Sequence, residues 1–211
     1  MEIFKHDVFH EMPVMGILRN IPYDDVFNIL PVYIRSGLGT LEITMDSHHA
    51  LDIIRDAVKT YGDSINIGAG TVTTISELKN ALDAGAQFIV SPNTDEEVIK
   101  ACRAGGIPVF PGAITPTEIM KAWKLGAFMV KVFPAGLINM EYFKCIRQPL
   151  KNIPMMATGG VGLSDITCFK SLGINAFGMG SLLFNKDYIK NKDWESLYGH
   201  FKEIRDLIRI T

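Results

Sequence analysis

Two charges stand inside runs that otherwise read as buried strand: Lys131 in "FMVKVFP" (128–134) and Glu42 in "TLEITM" (40–45). A strand with large apolar residues on both faces is usually covered on both. Burying an ammonium group without a partner is costly, or drives the group neutral. Three arrangements accommodate such a lysine. It can escape to water at a sheet edge. It can neutralise a buried glutamate, although such pairs rarely stabilise much. Or it can serve as a desolvated amine whose lowered pKa frees it at neutral pH, helped by a second cation such as Arg19, which ends "VMGILR" (14–19). In the third case the amine attacks a ketone to give a Schiff base, and a nearby carboxylate moves the protons. That is the chemistry of a metal-independent aldolase.

The elements that must position these groups are legible along the chain. Eight short apolar runs, at 14–19, 40–45, 65–70, 88–92, 108–112, 128–134, 154–160 and 176–181, alternate with segments of helical spacing. "TISELKNALDAG" has Thr74 or Ser76 as a cap and Gly85 as a stop; "TDEEVIKACRAGG" has Thr94 and Gly105; "TPTEIMKAWKLGA" has Thr115 followed by Pro116. Pro31 inside the first helical pattern predicts a kink or a shortened helix. Alternating strands and helices imply a parallel sheet, and eight units close into a (β/α)8 TIM barrel, here one domain over 1–211. An open doubly wound sheet is the alternative, but no G-x-G-x-x-G follows the first strand. A short N-terminal helix at about 3–11 would plug the barrel bottom, and "DWESLYGHFKEIRDLIRI" would close the ring. A closed barrel has no edge, so the escape to water is lost to Lys131. Glycine and polar residues gather at the strand ends that converge on one mouth. There "TGGVGLSD" and "GMGS" can cradle a phosphate on backbone N–H groups.

Other classes fade. With 211 residues and a net charge of −2, the chain lacks the basic footprint of a nucleic-acid binder. No apolar run approaches the roughly 18 residues that suggest a membrane span. "MEIFKHDVFHEM" is no signal h-region, so a cytoplasmic location is the expectation. Cys102, Cys145 and Cys168, odd in number and far apart, read as buried reduced thiols. His6 and His10 can share a helix face but have no evident third ligand, and adjacent His48 and His49 read as loop residues, so no metal site is expected. Met155, Met156 and the aromatics read as core.

Together "LEIT", "GAGTV", "FIVSP", "PGAITPTE", "KVFPA" and "ATGGV" resemble the blocks of the 2-keto-3-deoxy-6-phosphogluconate and 4-hydroxy-2-oxoglutarate aldolases, in order from about 12 to 185. The resemblance implies a (β/α)8 barrel, class I Schiff-base chemistry on a small 2-keto acid without metal or other cofactor, a homotrimer, and a place in Entner–Doudoroff-type metabolism. It implies Lys131 as the Schiff-base lysine and Glu42 as general acid/base. It places Arg19 at the substrate carboxylate, and Thr71, Pro92, Phe133 and Thr158 along the substrate. Gly159, Gly160, Gly180 and Ser181 match the phosphate cradle. Many members carry an arginine shortly after the glutamate, where this chain has Asp46. A carboxylate cannot hold a carboxylate, which leaves that task to Arg19. Thr158 points to the phosphogluconate branch, whereas "MDSHHA" and "SPN" resemble the phosphogalactonate branch. A phosphate-binding barrel isomerase, with Lys131 only stabilising charge, and a non-catalytic sugar-phosphate module are the other readings.

Overall fold

The computed structural model describes residues 4–210. In chain order the strands are β1 (Val14–Leu18), β2 (Thr40–Thr44), β3 (Asn66–Gly70), β4 (Ile89–Val90), β5 (Val109–Phe110), β6 (Gly112–Ala113), β7 (Val130–Val132), β8 (Met155–Thr158) and β9 (Ala176–Met179). They form one sheet in the order β5-β4-β3-β2-β1-β9-β8-β7-β6, and the paired neighbours run parallel. The predicted fifth strand is split. Pro111 has no N–H to donate, so β5 pairs with β4 while β6 pairs with β7. The two edges meet through Phe128 N–H to Val109 O (2.9 Å) and Lys131 N–H to Pro111 O (2.9 Å), so the ring closes as a (β/α)8 barrel. The other observed strands are shorter than the predicted runs; after β4, β7, β8 and β9 the glycines, prolines and polar residues turn into the mouth loops.

The helices are α1 (His6–Glu11), α2 (Tyr23–Arg35), α3 (Ala50–Tyr61), α4 (Ile75–Asp83), α5 (Glu96–Ala104), α6 (Pro116–Leu125), α7 (Met140–Arg147), α8 (Ile166–Ser171), α9 (Lys186–Lys190) and α10 (Trp194–Ile210). α4 and α6 start with full capping boxes, Thr74 with Glu77 and Thr115 with Glu118. α5 is capped by Asp95, not Thr94. The Asp95 carboxylate takes Val98 N–H, while the Thr94 hydroxyl donates to Gly112 O (2.8 Å), a carbonyl next to the broken fifth strand. Pro31 does not shorten α2, which runs unbroken with Val26, Ile29, Leu30 and Tyr33 buried. That apolar stripe outweighs the roughly 3 kcal/mol an interior proline costs. The N-terminal helix begins at His6 rather than near 3; Phe4 and Lys5 are not helical, and residues 1–3 lie outside the described ones. Of the cysteines only Cys102 is buried, with its thiol pushed up to about 12 by burial; Cys145 is exposed and Cys168 half-buried.

Strand alternation sorts the side chains. Leu41, Ile43, Val130 and Val132 join the large core between barrel and helices. The intervening Glu42 and Lys131 therefore point into the barrel. Below them Met15, Phe88, Val90, Phe110, Met129, Met156 and Ala176 pack with Phe4 and Phe9 from the N-terminal segment. Phe9 lies edge-on to Phe110 (5.6 Å between centroids), and Phe4 edge-on to Phe88 (5.6 Å). The barrel is thus sealed at its N-terminal end by an apolar plug and open at the other.

Replacing Phe9 by Ala leaves a cavity in this plug. The expected loss is about 3–5 kcal/mol. Calorimetry should show a Tm lower by roughly 6–20 °C at this chain length. Activity at 25 °C should persist, because the plug lies at the end opposite the mouth.

Candidate active site

The mouth holds a cleft of about 830 Å³. Every site residue expected from the sequence lines it: Lys131 and Glu42; Arg19, Thr71, Pro92, Phe133 and Thr158; and Gly159, Gly160, Gly180 and Ser181. They come from the C-terminal parts of seven strands and meet because parallel strands in a barrel deliver their C-terminal ends to one face.

Lys131 and Glu42 form its floor, with exposures of 7 % and 1 %. Burial pushes the Lys131 amine below the ordinary lysine range; Glu42 pulls it back up, and Arg19 adds to the lowering. Burial pushes the Glu42 carboxyl above the usual carboxylate range, against the pull of Lys131 and then of Arg19. The two charges act on each other but form no ion pair within 4.0 Å. Glu42 Oε2 has no hydrogen-bond partner. Gly70 makes room for this carboxylate: a Cβ there would lie 2.7 Å from Glu42 Cδ. Lys131 Nζ sits 5.1 Å from the centroid of the Phe133 ring, which screens one side of the amine.

Arg19 follows β1 directly. Its Nη2 donates to Thr71 Oγ1 (3.0 Å), and its Nη1 pairs with Asp46 Oδ2 (3.3 Å). Asp46 thus turns toward Arg19 rather than away. Thr71 holds φ at 59°, a left-handed value that a β-branched residue rarely takes. Thr158 Oγ1 is buried without a hydrogen-bond partner and lies against Gly178, where a Cβ would stand 2.3 Å from it. Beside it Gly159 and Gly160 hold φ at 85° and 75°, and Gly136 N–H donates to Gly159 O (2.7 Å). A Cβ on Gly136 would meet Gly160 O at 1.9 Å, so the two loops interlock through bare backbone.

The histidines stay out of the cleft. His6 and His10 stack on α1 at the opposite end, and exposed His49 precedes α3 beside Asp52. Among the described residues no three His, Cys, Asp or Glu side chains group to hold a metal ion. No helix there is long and apolar enough to cross a membrane. Sequence reasoning missed two cations. Lys186 and Lys190 on α9 line the cleft beyond Ser181, as does Asp25 on α2. The available signal was the lysine spacing in "NKDYIKNK", directly after the last strand.

Known proteins share this layout. The family model "KDPG and KHG aldolase" matches residues 6–199. A protein of Rhizobium meliloti named probable 2-dehydro-3-deoxy-6-phosphogalactonate aldolase is 33% identical over 175 residues, 82% of each chain. A 2-dehydro-3-deoxy-phosphogluconate aldolase of Haemophilus influenzae is 29% identical over 94% of each chain. The KDPG aldolase of Legionella pneumophila, solved with pyruvate captured as a covalent carbinolamine intermediate, superposes with a TM-score of 0.85 at 25% identity, covering 94% of this chain and 96% of that one. Matched along nearly its whole described length, the chain belongs to the KDPG and KHG aldolase family of carbon–carbon lyases.

Proposed function

We propose that the protein cleaves 2-keto-3-deoxy-6-phosphogluconate to pyruvate and glyceraldehyde 3-phosphate through a Schiff base on Lys131. One observation carries this reading: a lysine buried inside a closed barrel faces an open cleft beside a buried carboxylate, with no ion pair to hold it charged. The relative with a captured carbinolamine supports it.

The steps follow from the geometry. Lys131 Nζ adds to the C2 carbonyl. Glu42, its carboxyl pushed above the usual carboxylate range by burial, gives a proton to the carbinolamine hydroxyl, which leaves as water. The resulting carboxylate takes the proton of the C4 hydroxyl. The C3–C4 electron pair moves to the iminium nitrogen, the aldehyde departs, and an enamine remains. Protonation at C3 and hydrolysis release pyruvate and restore the amine. Arg19 grips the C1 carboxylate, with Thr71 steadying the guanidinium. The Thr158 hydroxyl, unpartnered and on the cleft wall, suits a substrate hydroxyl. Pro92 and Phe133 line the substrate path, and Gly159, Gly160, Gly180 and Ser181 receive the phosphate.

The phosphogalactonate, which differs in configuration at C4, is the second reading. It is favoured by the stretches "MDSHHA" and "SPN" and by the name of the Rhizobium relative. A homotrimer, a cytoplasmic location and a role in Entner–Doudoroff-type metabolism complete the proposal on the strength of family resemblance.

Incubation with pyruvate and cyanoborohydride should leave one reduced pyruvate adduct, mapped by mass spectrometry to Lys131. Lys131→Ala should lower turnover by about a thousandfold or more. An active enzyme without an adduct would favour the isomerase reading, and ligand binding without turnover of any 2-keto-3-deoxy acid the non-catalytic one. The pH dependence of deuterium exchange into the pyruvate methyl group reports the free amine. Glu42→Gln removes an influence that raises the Lys131 pKa, so the ascending limb should move to lower pH. The same variant should slow the reaction about 10²–10⁴-fold. Arg19→Ala removes an influence that lowers it, so the limb should move to higher pH, with pyruvate bound about tenfold more weakly. Limbs that do not move would break the electrostatic assignment. Light scattering at micromolar concentration should give three times the chain mass; a monomer mass would refute the trimer.

A further inference from the structure

The far wall of the cleft carries charge that the Schiff-base reading does not use. Lys186, Ile189 and Lys190 of α9 all line it, at i, i+3 and i+4 on one helix face. Buried Ile189 and Phe184 anchor the segment, and Asn185 Oδ1 accepts Asp187 N–H (2.9 Å) and Tyr188 N–H (3.3 Å) to cap it. The turn that carries the two lysines is therefore fixed at the cleft wall. Lys100 and Lys121 pair with Glu96 and Lys144 with Glu141; what sets Lys186 and Lys190 apart is that they line the cleft. Lys186 and Lys190 have no carboxylate within 4.0 Å among the described residues. Besides Glu42 on the floor, the acid lining the same cleft is Asp25, on the first turn of α2.

Topology places these cations relative to the reacting carbon. α9 follows β9, and β8 stands between β9 and β7, which carries Lys131. A substrate fixed at Lys131 and extended past Thr158 on β8 directs its far end toward the glycines and α9. The nature of that end differs among family substrates. 4-Hydroxy-2-oxoglutarate stops at C5 with a singly charged carboxylate. The phosphorylated six-carbon acids continue through C6 and an oxygen to a dianion.

We propose that Lys186 and Lys190 are specificity determinants that make the cleft select 2-keto acids ending in a phosphate dianion over those ending in a carboxylate. The glycine backbone supplies directional donors; the lysines supply net charge, which a backbone cradle lacks. Two flexible ammonium groups act through a field that reaches the dianion and falls off with ionic strength. The inference rests on the proposed aldolase reading and names the substrate end that reading leaves open.

The test compares wild type with Lys186→Gln/Lys190→Gln, both surface positions, with unchanged Tm as the folding control. The ratio of kcat/KM for 2-keto-3-deoxy-6-phosphogluconate over that for 4-hydroxy-2-oxoglutarate should fall by about tenfold or more, mostly through KM. Inhibition by inorganic phosphate should weaken in parallel, and the dependence of KM on salt should flatten. Lys186→Arg/Lys190→Arg should restore the ratio, since charge rather than shape is at issue. A ratio within about twofold of wild type, with phosphate inhibition intact, would overturn the inference. Wild-type trapping of pyruvate on Lys131 separates the two levels. If trapping occurs and the ratio does not move, only the role of the lysines fails. If wild type traps nothing, the aldolase reading fails and the inference with it.

Discussion

The structure depends on withholding water from one lysine and one glutamate at the same time. Burial favours the uncharged form of each, so it lowers the pKa of Lys131 and raises that of Glu42. Moving one proton from the ammonium to the carboxylate satisfies both. It also yields the two species a class I aldolase needs first: a free amine to attack carbon and a neutral acid to expel water. The groups titrate as a pair, so neither proton belongs to one residue alone. A contact ion pair would defeat this by trapping the charged forms, and the two are kept out of contact. Arg19 then sets the balance, lowering the pKa of both groups through its charge.

Much of the remaining architecture serves that condition. Closure across Pro111 removes the edge at which the lysine could reach water. The phenylalanine plug blocks solvent from below. Gly70 yields the volume the carboxylate occupies, and Phe133 covers one side of the amine. Four of the residues at positive φ, Asn20, Thr71, Gly159 and Gly160, line the cleft. Strain of this kind persists where surrounding structure over-determines it. Here the plug and the helix-facing core do so, which divides the molecule into a stabilising end and a reacting end.

The barrel and its buried charged pair were legible because a charge inside an apolar run conflicts with its surroundings, and the structure brings both charges to the cleft floor. Lys131 and Glu42 carry that signal individually. The ends of elements were harder to read. Thr94 and Asp95 are both good caps, and the choice went to Asp95 because Gly112 O, distant in sequence, required the Thr94 hydroxyl. The division of the fifth strand follows from Pro111, yet sequence alone cannot show that the ladder resumes on the other side of the break. Pro31 was over-weighted because local propensity ignores the burial along α2. Lys186 and Lys190 were missed for the opposite reason. A lysine pair on a short helix resembles any solvated face, and only the fold brings that face to the cleft.

Asp46 shows how a substitution in a site can be absorbed. By the family resemblance it stands where many members carry an arginine, and it turns to pair with Arg19 at 3.3 Å. Both partners are about half exposed, at 53% and 44%, and such pairs are worth about 0–1 kcal/mol. A bidentate grip on a substrate carboxylate is stronger, so the guanidinium can exchange one anion for the other at little cost. Until then Asp46 and Thr71 hold it from two sides. Orientation that a second arginine would supply by sharing the substrate is supplied here by an acid and a hydroxyl that hold the single arginine in place. In the proposed reading the carboxylate clamp rests on one cation, and selection falls to the far end of the cleft, which Lys186 and Lys190 of α9 line.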